Sequence, residues 1–103
     1  MILNRRRADI AKALAVLAPD VPAFDREVVL DRAEDSLGLS CASPQAAAWL
    51  ALTSHVRHVH TDYDQMLDDG YDVDAARHFC GQAMARILAA WGCRKRLGSN
   101  DCD

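Results

Sequence analysis

A chain of 103 residues with a net charge of −3 has room for one domain and one core, and needs no disulfide to hold it. Half of the residues are hydrophobic, many of them Ala, and only 6% are aromatic. Strand-forming runs are absent, no apolar run approaches the length of a membrane span, and the acidic balance argues against a general nucleic-acid binder.

The first helix is expected from about Asn4 to Ala18, with Ile10, Leu14 and Leu17 as its stripe and Pro19 as its stop. Arg5, Arg6 and Arg7 sit at its start, where the helix dipole favours negative charge. They read as a solvated, frayed terminus, with a binding patch as the alternative. The second helix starts near Pro22 and places Phe24, Val28, Leu30, Ala33 and Leu37 at its apolar positions, with Gly38 as its stop.

Ser43 followed by Pro44 is a hydroxyl cap and then Pro at the first turn, a strong start for a third helix. Trp49, Leu52, Val56, Val59, Tyr63 and Met66 recur at alternating steps of three and four, which is one stripe of a helix. That phase favours one rod from 44 to 69, roughly 39 Å long at 1.5 Å per residue, ending at Gly70. Thr61-Asp62-Tyr63-Asp64 also reads as a capping box, so a break near His60 is the alternative. Asp72 caps a fourth helix, 72–91, with Val73, Ala76, Cys80, Met84, Ile87 and Trp91 as its stripe and Gly92 as its stop.

The expected architecture is therefore a small all-α, four-helix domain over 1–97, built on a long antiparallel hairpin of 44–69 and 72–91. Trp91 falls toward the Trp49 end in that arrangement. The core is expected to hold Trp49, Leu52, Val56, Val59, Met84, Ile87 and Trp91, and residues 98–103 read as a mobile tail. The long helix carries a seam of coiled-coil spacing, and the Ala-rich first helices leave it open whether that seam is covered or makes a homodimer.

The unusual chemistry flanks the third-helix stripe. His55, His58 and Asp62 share one flank, at a spacing that can hold a metal, but H-E-x-x-H is missing and an i,i+4 pair of His58 with Asp62 is the simpler reading. His60 and Asp64 fall on the other flank beside Arg57 and could form a general-base pair, yet no nucleophile with a local motif accompanies them. Cys80 is a nucleophile by residue type alone, and its place on a stripe points to burial. Tyr63 reads as a polar lock within the stripe. His55, Arg57, His58, His60, Asp62, Tyr63, Asp64 and Arg77 together form the candidate functional polar cluster, with no catalytic residue, metal ligand or cofactor assigned.

The four cysteines form no C-x-x-C pair, no signal peptide is read, and free thiols in the cytoplasm are expected. Six aspartates and no basic residue lie between Asp62 and Asp74, whereas Arg94, Lys95 and Arg96 come near the end. The acidic run fails as a calcium loop, because Gln65 and Leu67 stand where carboxylates belong. It suits either a solvated corner or a docking surface for a basic partner.

The block SHVRHVHTDYDQMLDDGYDVDAARHF, with the later Trp91, resembles a domain-of-unknown-function family of bacterial and fungal proteins. The core of that family reads H-[VI]-R-H, T-D-Y-D, two apolar residues, a Gly, A-R and a later Trp. The matching positions are His55, Arg57, His58, Thr61, Asp62, Tyr63, Asp64, Met66, Leu67, Gly70, Ala76, Arg77 and Trp91. The resemblance covers the second half of the chain and implies no activity. The reading it leaves is a non-enzymatic interaction module with a protein partner or a second copy, nucleic acid being less favoured and a membrane excluded. A small metal-assisted or His/Asp-based enzyme using the His55–Asp64 cluster is the alternative.

Overall fold

Ser43 and Pro44 start the helix on which the rest of the chain is packed. The computed structural model describes residues 2–97, with side chains from Arg5 onward, so the tail at 98–103 and its Cys102 lie outside the described residues. Helices α1 (Ile2–Leu17), α2 (Ala23–Asp35), α3 (Pro44–His60), α4 (Tyr63–Asp68) and α5 (Val73–Ala90) follow in order, with a 3-10 turn at Leu37–Leu39. No strand occurs among the described residues, and the all-α class is borne out.

The Ser43 hydroxyl accepts the Ala46 N–H at 3.1 Å and fixes the start of α3. Helices α1, α2 and α5 all pack on α3. Its Ala47, Ala48 and Ala51 are buried beside Trp49, Leu52 and Val56, and these small side chains let the neighbouring helices approach from more than one side. Ile10, Leu14 and Ala18 of α1 and its end meet Val29, Leu30 and Ala33 of α2 and Met84, Leu88 and Trp91 of the α5 end in the same core. Thr53 is buried too, and its hydroxyl donates to the Trp49 carbonyl at 3.0 Å, which leaves no polar debt there. A second, smaller core of Tyr63, Ala76 and Cys80, joined by Met66 and Leu67, holds α4 against α5. Two separate cores suit a molecule of 45 × 27 × 25 Å.

The long rod is the main correction. Helix α3 ends at His60, and Thr61 is extended at φ −131° and ψ 173°. The Thr61 hydroxyl donates to the Arg57 carbonyl and accepts the Tyr63 N–H, so one side chain closes α3 and opens α4. There are therefore five helices among the described residues, and α4 is an independent turn. Val59 is 54% exposed instead of core, and Ile87 is only half-buried. The end of α5 runs back along α3 toward Trp49 as expected, with the Trp91 ring packed on His55 and His60.

Helix α2 buries Leu30 and Ala33 as expected, but not the rest of its expected apolar set. Phe24 is 76% exposed and Leu37 lies outside, while Asp25, Val29, Leu30 and Ala33 face inward. The steps of four from Asp25 through Val29 to Ala33 define the buried face one residue away from Phe24 and Val28. The arginines of α1 are also not a frayed terminus. Arg6 donates to the carbonyls of Leu39 and Ala42, and Arg7 pairs with Glu27, Asp31 and Glu34 of α2 at 2.9–3.1 Å. Asp31, ahead of Glu27 and Glu34, holds the Arg7 guanidinium above its already high range.

Two of the three expected glycine stops hold; Gly38 instead lies inside the 3-10 turn, and α2 ends before it at Asp35, where Ser36 turns extended. Gly70 and Gly92 have φ of 100° and 82°, and the Tyr71 and Cys93 N–H groups bond back to Met66 and Leu88. The Asp20 N–H donates to the Trp91 carbonyl at 2.9 Å and ties the first connection to the end of α5.

Candidate functional site

The eight residues singled out from the sequence divide between two places. His55 is 1% exposed, and its Nε2 donates to Asp25 Oδ1 at 2.7 Å. His60, at the last position of α3, sends its Nε2 to the same oxygen at 2.8 Å. The two imidazoles meet edge to face, with centroids 5.4 Å apart, and the Trp91 ring stacks near His55 and stands edge-on to His60. Asp25 in the first turn of α2 is thus the hub of a group of residues drawn from three parts of the chain. Burial pushes its carboxyl up, but the hydrogen bonds from His55 and His60 outweigh this and leave it below the ordinary value.

The second place is the α3–α4 junction. His58 Nδ1 pairs with Asp64 Oδ1 at 2.7 Å, and its ring stands edge-on to buried Tyr63 at 5.2 Å. The Arg57 guanidinium lies 5.7 Å from the centre of the same ring. Tyr63 is therefore gripped through its ring. Asp62 is exposed at the start of α4 and makes no side-chain cap. Arg77 is half-buried on α5, with its Nε enclosed and unpartnered among the described residues.

Neither pairing expected from an unbroken helix forms. His58 meets Asp64 instead of Asp62, and His60 meets Asp25 instead of Asp64. The break at Thr61 takes Asp62 and Asp64 out of the periodicity of α3, so spacings counted across it do not predict neighbours. His55 and His58 also turn to different partners, which removes the metal set of His55, His58 and Asp62. Asp25 was not among the sequence candidates. Its signal was an acidic residue in phase with the buried Val29 and Ala33.

A third feature completes the surface at this end. Tyr71 and Phe79 are 46% and 58% exposed, and their rings meet edge to face at 5.9 Å. Asp62, Asp64, Asp68, Asp69, Asp72 and Asp74 are all exposed around the α4–α5 corner. The Asp72 carboxylate accepts the Ala75 N–H at 2.7 Å and so has a local structural task as well.

The family model of uncharacterised conserved proteins DUF2293 matches residues 13–92. The chain belongs to this family. The match begins inside α1 and ends at Gly92, so it takes in Asp25 and α2 as well as the second half of the chain. The DUF2293 region thus spans both halves of the Asp25–His55–His60 group and the whole α3–α4–α5 junction. No curated protein and no solved structure matches the chain. Among the described residues no helix is long and apolar enough to cross a membrane.

Proposed function

We propose that this DUF2293 chain is a non-enzymatic interaction module of the cytoplasm whose α4–α5 corner takes a basic segment of a partner protein. The observation that carries this reading is the exposed Tyr71–Phe79 ring pair standing among the carboxylates of Asp68, Asp69, Asp72 and Asp74. Solvated carboxylates attract Lys and Arg over a screening length of about 8 Å at physiological salt. Two exposed aromatic faces then offer apolar and cation–π contact at short range. The alternative, an enzyme using the His55–Asp64 cluster, has less support. Its residues do not converge, since His55 and His60 bond to Asp25 whereas His58 bonds to Asp64, and His55 is closed to solvent.

The test is fluorescence anisotropy with a synthetic peptide rich in Arg and Lys at low salt. Binding should weaken as salt rises, and Phe79→Ala and a paired Asp68→Asn, Asp69→Asn change should each weaken it further. Equal affinity for a neutral peptide of the same length, or no binding to the basic one, would overturn the reading.

A further inference from the structure

We propose that Asp25, His55 and His60 hold a single transition-metal dication of the Zn2+ class. This inference is independent of the docking corner and concerns the opposite side of the break at Thr61. The donor atoms, Asp25 Oδ1 and the Nε2 atoms of His55 and His60, all lie within 4.8 Å of one another. They come from α2 and α3, two helices already fixed by the main core, so the ligands are held in place before any ion arrives. Two imidazole nitrogens and one carboxylate oxygen are a donor set that suits Zn2+, Co2+ or Ni2+ far better than Mg2+ or Ca2+.

The geometry around the donors has the features such a site needs. Both imidazoles aim at one point, since their Nε2 atoms reach the same oxygen at 2.7 and 2.8 Å. An ion entering there would replace these two hydrogen bonds with bonds of about 2.0–2.2 Å from each donor. That exchange asks for a small separation of the three side chains and for no movement of a helix. The Trp91 ring walls one side against water, within 6.4 Å of His55 and 5.3 Å of His60 by ring centroids. The His60 side chain is 30% exposed, which opens the other side for entry and for a solvent ligand in the fourth position.

Proton placement is compatible too. Bound to Asp25, each neutral imidazole carries its proton on Nε2; bound to an ion through Nε2, it carries the proton on Nδ1. The Nδ1 of His55 is buried without a hydrogen-bond partner among the described residues, so the tautomer change breaks no existing bond at that atom. A buried imidazole nitrogen lacking a partner is itself a departure from what interiors normally tolerate.

The experiment starts from full-length protein stripped with chelator and titrated with Co2+, followed by its visible ligand-field bands, and then with Zn2+ in competition. One equivalent should bind and raise the melting temperature. His60→Gln, at a partly exposed position, should keep the helical circular dichroism and lose at least about 100-fold in affinity, more than the loss of an outer-shell partner causes. His58→Gln, which removes the other His–Asp pair, should leave affinity unchanged. The exposed Cys41 and half-buried Cys93 are competing ligands, and a thiolate charge-transfer band would report them. No stoichiometric binding, unchanged affinity in His60→Gln, or a thiolate band that survives that substitution would each overturn the proposal.

Discussion

Asp25 ties the first turn of α2 to α3 through two hydrogen bonds. Its one oxygen receives two imidazoles from α3, and it is almost fully buried while doing so. Replacing it with Asn leaves the buried His55 N–H and the partly exposed His60 N–H facing an amide oxygen that offers less charge. Asp25→Asn should therefore lower stability by about 2–4 kcal/mol, read by thermal or denaturant unfolding in the presence of chelator. The sign of the pH dependence follows from the lowered carboxyl. The folded state holds fewer protons on Asp25 than the unfolded chain, whose value is near 3.8. The stabilisation is thus full above that pH and is lost as pH falls through the lower folded value. Acid unfolding followed by circular dichroism should show this loss in the wild type, and Asp25→Asn should flatten it. The hub was hard to see from sequence because a carboxylate usually marks a solvated face. Only its phase with Val29 and Ala33 set it apart from Asp31 and Asp35.

At the scale of elements, local signals predict this structure better than long periodicity does. Ser43-Pro44, Asp72, Gly70 and Gly92 act as the caps and stops their residue types predict, because each works through backbone groups within a few residues. The stripe from Trp49 to Met66 kept its phase on paper, but the Thr61 side chain bonds the backbone on both sides and breaks the helix beneath it. Two neighbouring valines separate the readings. Val56 is fully enclosed in the core, whereas Val59 is more than half exposed. Val56→Asp should cost several kcal/mol, at least about 3, through an unpaired buried charge. Val59→Asp should stay within about 0.5 kcal/mol of wild type. A comparable fall in melting temperature for both would restore the continuous stripe. The end of α5 gives a second test. Gly92 has φ of 82°, and a Cβ there would stand 3.0 Å from the Pro19 ring. Gly92→Ala should cost about 2 kcal/mol or more, from the left-handed backbone plus that contact, and should loosen the Asp20–Trp91 tie.

Over the whole molecule, charge and packing decide which partners remain. The seam that could drive a homodimer runs along α3, and α1, α2 and α5 cover it. Light scattering should accordingly find monomer mass across a wide concentration range, and a stable dimer would require an interface elsewhere. Sequence alone leaves open whether the basic residues near both ends of the chain serve solubility or a partner, because ion pairs between distant segments have no local pattern. Arg7 is committed to three carboxylates of α2, and Arg6 to the carbonyls that close the connection into α3. Besides the exposed Arg5, that leaves Arg94, Lys95 and Arg96 as the exposed basic run, with the Lys95 ammonium 5.1 Å from the centre of the Trp49 ring. Helix α5, with its 18 residues, separates them from the acidic corner by about 27 Å along its axis, several screening lengths at physiological salt. Three exposed cations can release about three counterions from a duplex, too few for tight binding without base contacts. Titration with a short duplex and a short single strand at low salt should therefore give at most weak association that vanishes near physiological salt. Arg7→Ala should leave that weak binding unchanged while lowering thermal stability, since its charge is spent on α2. Tight, salt-resistant binding to either nucleic acid would contradict this assignment of the arginines.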